Sequence, residues 1–475
     1  MSHPTKERYL VVSDLHLADV EDHGDGWKYF KGSRYVFDED LAALLRVFAT
    51  QGDGPGTLIL NGDIVDFDLV TAVPDDPPWP VRRSERRRGL DATPEKSAWK
   101  LSRILEHHPV FVDALGIFLA GGNRVVWILG NHDRELHFPV VRDVLRDALA
   151  EAAGRAGGDV PDGAFAVEPW FYHVPGRIYA EHGQQYDYYN SFRHILEPVV
   201  TRRGAPEIAL PMGNISNRLL MGRMGYFNPH AGDYILNVFS YFLHWARLYA
   251  FSRHNLLFIW FFGSLLALGA LLGTKRRLLR QSRQGDAVQL EALRHRMGLA
   301  PADLEGLRRL QRPPITDRVF RIVREFWIDR LVIAALMTGG TVALALVPIP
   351  LWIKLMVPLS CFPLVYFLYE ALVQGETVFS AADKLTVYAS KIGAVLRVPV
   401  VTFGHTHEPR AITVGPGITY VNSGTWAPVT APYPKTDLLP GFRNWLEVDF
   451  SEDPPRMRFD CLLGPAVEQR SPHAS

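Results

Sequence analysis

Five short polar motifs contain the residue types that bind divalent metal ions in proteins. Each follows an apolar run that is typical of a β-strand, and each contributes aspartate, asparagine or histidine. In chain order they are Asp14-Leu15-His16, Gly62-Asp63-Ile64-Val65-Asp66, Gly130-Asn131-His132-Asp133, His182-Gly183 and Gly404-His405-Thr406-His407. Oxygen and imidazole ligands without thiolates suit ions such as Mn²⁺, Fe²⁺ and Zn²⁺. One such motif is usually an ordinary turn, but five in this arrangement predict a metal centre.

The apolar runs before the motifs predict the strands that would position them. YLVV, TLIL, VVWIL, RIYA and PVVTF are rich in β-branched and aromatic residues, whereas 41–50 and 97–120 have the apolar spacing of helices. This alternation of strands and helices indicates an α/β fold. Side chains alternate along an extended chain, so Asp14 and His16 would lie on one side and could reach one ion.

The order of the motifs resembles that of the calcineurin-like metallophosphoesterase superfamily, over about 1–190 and 385–450. The resemblance implies a metallophosphoesterase-type β-sandwich flanked by helices, and the apolar blocks described below add a large hydrophobic α-helical insertion. It also implies two divalent metal ions, with manganese favoured over iron and zinc. Matched residue by residue, it implies that one metal is held by Asp14, His16 and His407, that the other is held by Asn131, His182 and His405, and that Asp63 bridges the two.

The same resemblance implies roles in catalysis. Two cations would polarise the phosphoryl oxygens and lower the pKa of a bridging water, whose hydroxide would attack phosphorus. His132 would act on the leaving oxygen and Asp66 would orient that histidine. Arg134 is a candidate substrate-binding residue, although a position in a solvated loop is an equal alternative. The family often has an acid directly after the His-Gly pair, whereas here the next acid is Asp187, so no role for Asp187 is implied.

Two apolar blocks separate His182 from His405. The segment 255–274 has no charged residue, and 331–369 has only Lys354 and is divided by two prolines at 348 and 350. Runs of this length can span a bilayer. The segment 275–330 between them has 14 basic and 7 acidic residues, which the positive-inside rule places in the cytoplasm. The alternative for 275–330 is a solvated helical linker.

The two metal-ligand histidines constrain the topology of the insertion. Because both must reach one centre, the chain must return to the side that it left, and the number of crossings must be even. We therefore expect 331–369 to form one hairpin, with 255–274 either paired with 234–251 or lying in the interface. Two alternatives remain for the insertion. One is a soluble cap with an apolar groove, and the other is a dimerisation surface.

The predicted organisation is a catalytic domain in two parts, interrupted by the insertion. Its parts are 1–190 and 385–475, and the insertion is 191–384. The apolar blocks of the insertion predict membrane association. The start of the chain lacks the apolar stretch of a signal peptide, so we expect the catalytic domain on the cytoplasmic side.

Composition narrows the possible functions. The 51 basic and 51 acidic residues give no net charge, so no nucleic-acid partner is expected. Two cysteines, Cys361 and Cys461, cannot form a disulfide framework, and no disulfide partner is expected. The sequence thus predicts a phosphoesterase that acts on a phosphate ester or pyrophosphate in a membrane lipid.

The lipid substrate is inferred from the location of the insertion, and a narrower resemblance has the same general layout. The UDP-2,3-diacylglucosamine hydrolases are distantly similar, cleave a lipid pyrophosphate and carry a lid at the same point in the chain. They commonly have arginine where this chain has His132, and their lid is much shorter. Two alternatives therefore stay open. One is a membrane-tethered enzyme that acts on soluble nucleotides or phosphoproteins, and the other is a non-catalytic scaffold.

Overall fold

The protein is described from a computed structural model. The described residues are 7–220 without 24–26 and 52–53, the single positions 222, 225 and 228, and the segments 256–278, 284–373, 381–430, 438–439 and 443–462.

Fifteen strands are assigned within the described residues. They are β1 (Arg8–Val12), β2 (Thr57–Asn61), β3 (Arg124–Ile128), β4 (Phe165–Glu168), β5 (Phe171–Val174), β6 (Ile178–Glu181), β7 (Val199–Arg202), β8 (Ala205–Ile208), β9 (Val400–Phe403), β10 (Arg410–Gly415), β11 (Ile418–Asn422), β12 (Val429–Thr430), β13 (Leu438–Leu439), β14 (Asn444–Asp449) and β15 (Arg456–Cys461). Most of them form two sheets, ordered β15-β14-β1-β2-β3-β4 and β10-β11-β9-β6-β5.

The two sheets pack face to face. Val11, Ile59 and Val126 of the first sheet share one buried cluster with Ile178 and Val400 of the second. The central strands are covered on both faces, which explains their almost unbroken apolar sequences. The β-sandwich predicted from the sequence is therefore confirmed.

Parallel pairing sets the place where the polar motifs meet. Strand β1 is parallel to β2, and β2 to β3. In the other sheet β6 is parallel to β9. The carboxyl ends of these strands therefore lie at one edge of the sandwich, and every metal-ligand motif follows one of them.

Thirteen α-helices are assigned within the described residues. They are α1 (Asp38–Thr50), α2 (Glu85–Arg88), α3 (Pro94–His107), α4 (Pro109–Ala120), α5 (Pro139–Arg155), α6 (Met212–Leu219), α7 (Leu256–Leu278), α8 (Gln284–Arg296), α9 (Pro301–Leu310), α10 (Val319–Glu325), α11 (Ile328–Leu346), α12 (Leu351–Leu372) and α13 (Ala381–Leu396).

Helices flank both sides of the sandwich. The apolar faces of α1, α3, α4 and α5 bury Leu41, Leu101, Leu115 and Leu145 in one core with Trp127 of the first sheet. Helix α13 packs on strands β9, β10 and β11 of the second sheet. The helical spacing of 97–120 is divided between α3 and α4, because a proline at 109 cannot continue the first helix.

The second apolar block forms a helical hairpin, as the sequence predicts. Helices α11 and α12 are joined by 347–350, the segment with the two prolines. Both are long and apolar enough to cross a membrane, and neither spanning window is buried inside the protein. The first block corresponds to α7, and its predicted partner at 234–251 lies outside the described residues.

The basic segment between the apolar blocks packs on the catalytic part. Leu293, Leu304 and Leu307 are buried in the main core. Arg296 forms a 2.6 Å ion pair with Glu168 of β4. The described residues of this segment therefore form a folded cap rather than a solvated linker.

Candidate metal centre

The structure brings all the sequence-predicted ligands to the shared edge of the two sheets. The first sheet supplies Asp14 and His16 after β1, Asp63 after β2 and Asn131 after β3, and the second supplies His182 after β6 and His405 and His407 after β9. Of these, only His405 and His407 are more than marginally exposed. Strand ends from both sheets thus converge on one buried polar cluster.

Left-handed backbone conformation is concentrated at these residues. The φ angles are 54° at Asp14, 51° at His16, 53° at Asp63, 71° at His405 and 61° at His407. Each non-glycine residue in this region costs about 1–2 kcal/mol, and such costs persist where the surroundings hold the conformation for function. Here backbone hydrogen bonds hold it, including one from the His16 amide to the Asp63 carbonyl at 2.9 Å.

Three glycines allow the motifs to approach one another. A Cβ at Gly62 would lie less than 3.0 Å from the His182 ring, and one at Gly130 would lie equally close to the Asp63 carboxylate. A Cβ at Gly404 would meet the Asp14 carboxylate in the same way. Glycine is therefore required at these three positions by close approach of the ligands.

The first ligand group consists of Asp14, His16 and His407. Nε2 of His407 lies 3.3 Å from Oδ1 of Asp14 and 3.1 Å from Nε2 of His16. One ligand atom from each of the three residues lies within 4.8 Å of the other two. These atoms surround a position at which one divalent ion would fit.

The second group consists of Asp63, His182 and His405, whose ligand atoms meet the same 4.8 Å limit. Oδ2 of Asp63 lies 3.0 Å from Nε2 of His182. Asp63 also forms a group with His16, so this carboxylate lies between the two positions. That is the location expected of a bridging ligand.

Asn131 provides an independent test of whether a metal fits. Its side chain is buried, and Oδ1 has no hydrogen-bond partner among the described residues. A buried amide oxygen without a donor is costly unless something else satisfies it. A divalent cation beside His182 would do so, and the donor set therefore fits the metals that the sequence implied.

Electrostatics among these side chains also indicate a cation site. Burial opposes ionisation of Asp63, but the neighbouring His182 and His132 outweigh it and hold the pKa of that carboxyl well below its ordinary value. Burial likewise opposes protonation of His182, but Asp63 and Asp14 raise its pKa to about 10. Without a metal, protons on histidine supply the positive charge that the carboxylates require.

His132 and Asp66 form the pair expected from the sequence. Nδ1 of His132 lies 3.0 Å from Oδ2 of Asp66. The other oxygen of Asp66 accepts hydrogen bonds from the amides of Asp68 and Leu69, which fixes the carboxylate. Burial lowers the pKa of His132, but Asp66 and Asp63 outweigh this effect and raise it to about 9.

Arg134 is fully buried beneath this turn rather than in a solvated loop. Its guanidinium pairs with Asp68 at 2.7 Å and donates to the Asn131 carbonyl at 2.6 Å. Asn214 of α6 donates to the same carboxylate at 2.8 Å and to the same carbonyl at 3.0 Å. These contacts indicate that Arg134 supports the Asn131–His132 turn, in place of the substrate contact considered from the sequence.

Three supporting residues were not identified from the sequence. Asp68 and Asn214 carry no motif, because their proximity to Asn131 arises only in the folded chain. Asp187, which the sequence left without a role, lies 3.0 Å from Nε2 of His405. A carboxylate at one ring nitrogen orients a histidine whose other nitrogen binds metal. The acid displaced along the sequence therefore still reaches a predicted ligand.

Comparison with known families agrees with this geometry. Residues 7–205 match the family described as calcineurin-like phosphoesterase. The matched segment contains Asp14, Asp63, Asn131 and His182, whereas His405 lies beyond it. No curated protein matches the chain. The similarity to UDP-2,3-diacylglucosamine hydrolases therefore stays a prediction.

Proposed function

Because residues 7–205 match the calcineurin-like phosphoesterase family, we propose that the protein hydrolyses a phosphate ester or pyrophosphate carried by a membrane lipid. The observation that carries the proposal is the pair of ligand groups that share the region around Asp63. A hydrolase of phosphoester bonds with bound divalent metal is the activity that this family and this cluster support. The dinuclear centre, the lipid substrate and the membrane location are our extensions.

Two metal ions are proposed at the two ligand groups. Asp14, His16 and His407 would hold one, and Asn131, His182 and His405 would hold the other, with Asp63 between them. When bound, such ions polarise phosphoryl oxygens and activate water. Manganese is favoured, and iron and zinc suit the same ligands.

His132 is proposed as the general acid. Its Nδ1 faces Asp66, so Nε2 would be the nitrogen that donates a proton to the departing oxygen. The carboxylates around the ring favour the protonated form needed for this step. Asp66 holds the ring orientation through its own two amide hydrogen bonds, so the acid would be aligned before substrate binds.

Membrane association is supported by the surface of the hairpin. Leu336, Leu346 and Phe367 are 71%, 83% and 74% exposed. Water does not favour so much contiguous apolar surface. At about 1.5 Å per residue, α11 and α12 measure about 29 and 33 Å, close to the ~30 Å hydrocarbon thickness.

The base of the hairpin has the composition of a membrane interface. Arg330 pairs with Glu370 at 2.7 Å and stacks over Trp327 and Tyr369. Aromatic rings and arginine are typical of the level where lipid headgroups meet hydrocarbon. Arg324 binds the Val373 carbonyl at 2.6 Å, so both ends of the hairpin return to the same side. We propose that this is the side of the catalytic domain, in the cytoplasm.

An activity screen tests the proposal. The full chain in non-ionic detergent would be assayed with Mn²⁺ and with a chelator, on aryl phosphate mono- and diesters, nucleotide pyrophosphates, and phospholipid or UDP-lipid mixed micelles. We expect metal-dependent turnover with preference for the lipids. Equal turnover of soluble esters and lipids would indicate that the hairpin only anchors the enzyme to the membrane. Absence of turnover with metals bound would favour a scaffold.

A further inference from the structure

A groove outside the metal centre combines arginines with an apolar wall. Its volume is about 460 Å³, within the range of small-molecule sites. It lies between 82–91, the β7–β8 hairpin, α6 and α7. None of the proposed metal ligands lines it, nor does His132. A ligand in this groove would therefore not occupy the catalytic position.

Positive charge is in excess along the groove. Six arginines line it against two carboxylates: Arg82, Arg88, Arg202, Arg203, Arg218 and Arg277 face Asp91 and Glu207. Both carboxylates are already engaged, because Asp91 pairs with Arg82 at 2.9 Å and Glu207 pairs with Arg202 at 2.8 Å. Among the described residues, no carboxylate lies within ion-pair distance of Arg203 or Arg277. An anion would neutralise this excess.

Arg277 is half-buried, and its guanidinium is incompletely hydrogen-bonded among the described residues. Its Nη2 donates to Thr274 at 3.0 Å, but its buried Nε has no acceptor among the described residues. Burial, and after it the guanidinium of Arg202, lowers the pKa of Arg277. Phosphate oxygens are the acceptors that match such a planar donor.

The wall opposite the arginine loop is apolar and belongs to the same helix as Arg277. Leu265 and Leu266 are each 45% exposed along α7, and Gly269 and Gly273 leave space beside them. At about 1.5 Å per residue, the leucines lie about 17 Å along the helix from Arg277. A ligand that fills the groove therefore needs an anionic end and an apolar end.

We propose that this groove binds an anionic phospholipid, with the phosphate at Arg203 and Arg277 and an acyl chain along Leu265 and Leu266. A free phosphate would use only the arginine end. A zwitterionic lipid would leave the excess charge uncompensated. Because the groove is separate from the metal centre, the lipid is a bound ligand that attracts the catalytic part to anionic membranes. The proposal holds whichever bond the metal centre cleaves.

Binding of short-chain lipids to the full chain in non-ionic detergent tests the groove. Dioctanoyl phosphatidylglycerol, dioctanoyl phosphatidylcholine and inorganic phosphate would be titrated by calorimetry. We expect phosphatidylglycerol to bind at least about tenfold more tightly than either of the others. Equal binding of phosphatidylcholine would overturn the anionic headgroup, and equal binding of phosphate would overturn the acyl-chain contact.

Matched arginine variants locate the binding. The double variant Arg203→Gln/Arg277→Gln should weaken phosphatidylglycerol binding at least about tenfold. The control Arg86→Gln/Arg87→Gln removes the same charge from residues outside the groove lining and should change it less than twofold. The single variant Arg203→Gln, at an exposed turn, serves if the double variant unfolds. Unchanged binding in Arg203→Gln and in the double variant, or an equal loss in the control, would refute the site.

Leu266→Gln tests the apolar end alone. It should weaken phosphatidylglycerol binding and leave phosphate binding unchanged, because only the lipid reaches that part of α7. Metal-dependent turnover of a soluble ester should remain in every variant. Loss of turnover together with lipid binding would mean that the groove and the metal centre are one site, against the proposal.

Discussion

The metal centre and the helical hairpin depart from ordinary burial in opposite directions. The centre buries carboxylates and histidines such as Asp63 and His182, whereas the hairpin exposes leucine and phenylalanine side chains. Buried charges are costly unless they are paired or bind metal. A large exposed apolar surface is also unfavourable in water. We therefore propose a second component for each region, a cation for the first and lipid for the second.

The two regions also differ in how they are assembled. The centre is built from five strand ends that are spread along the chain between Val12 and Phe403, and it is fixed by two packed sheets. The hairpin is continuous in sequence and contacts mainly itself and α10. The comparison predicts that changes at the centre reduce chemistry without affecting membrane retention, and that changes in the hairpin do the reverse.

The largest of these effects is expected for His132→Ala. Loss of the general acid should lower turnover of an ester with a poor leaving group by about 10²–10⁴-fold, while the metals and membrane retention remain. An activated aryl ester should lose less, because its leaving oxygen needs no proton. His295→Ala, at an exposed histidine of α8, is the control. Equal losses on both esters would remove the acid role.

Leu336→Asp should act in the opposite way. A charged residue within a spanning helix costs about 2.5–3.5 kcal/mol, which corresponds to a fall of about 100-fold in membrane partitioning. Turnover of a soluble aryl ester should not change. Ile117→Asp, at an exposed residue of α4 in the catalytic part, provides the control. Both variants would be compared by membrane fractionation. Full retention of Leu336→Asp in the membrane fraction would contradict a membrane hairpin.

Asn214→Ala tests the point where the insertion reaches the centre. Asn214 supports the Asn131 carbonyl and Asp68, so its loss should weaken metal affinity about 10–100-fold, as for other residues behind a metal ligand. Excess Mn²⁺ should restore turnover, which a general folding defect would not allow. Asn217→Ala in the same helix is the matched control. An equal fall in metal affinity in both variants would indicate a general effect on α6 and no specific role for Asn214.

The smallest effect is a pH dependence of the metal-free protein. The folded-state pKa values of His182 and His132 are about 10 and about 9, above the ordinary 6.5. Their stabilising contribution should therefore be complete below pH 6.5 and be lost as pH rises through 9–10. Because His182 must lose its proton to bind metal, Mn²⁺ affinity should rise over the same range, by up to about tenfold per pH unit.

Calorimetry separates the two forms. The unfolding temperature of the metal-free chain should fall between pH 7 and pH 10, while the manganese-bound chain should show little of this change. A pH-independent metal-free protein would contradict the proton-for-metal exchange at His182.

The sequence was most informative where function depends on short local patterns. Asp14, His16 and Asp63 follow strands whose apolar sequences are unmistakable, and the glycines beside them mark the close approach. The two prolines of 347–350 likewise predicted the hairpin turn. In each case the signal and the structure lie within a few residues of one another.

The remaining features depend on contacts between distant segments. Asn214 and Asp68 have no local signal, because only the folded chain places them beside Asn131. Asp187 is the next acid after the His182-Gly183 pair, but only the folded chain shows that it reaches His405. Arg134 follows a motif directly, yet burial against Asp68 gives it a supporting position. The basic composition of 275–330 gave no indication that this segment is a packed cap. Its packing onto the sandwich depends on three buried leucines, which the many charged residues around them obscure in the sequence.

The central claim, that the five motifs form one two-metal phosphoesterase centre, is tested most directly by Asp63→Ala. Metal content and turnover would be measured on the folded full chain, with Asp143→Ala, at an exposed residue of α5, as the matched control. We expect two ions per chain in the wild type and the control. In Asp63→Ala we expect loss of metal and a fall in turnover of more than about 10³-fold, since metals contribute several kcal/mol at 1.36 kcal/mol per tenfold. Retention of both ions and of wild-type turnover in Asp63→Ala would contradict the claim.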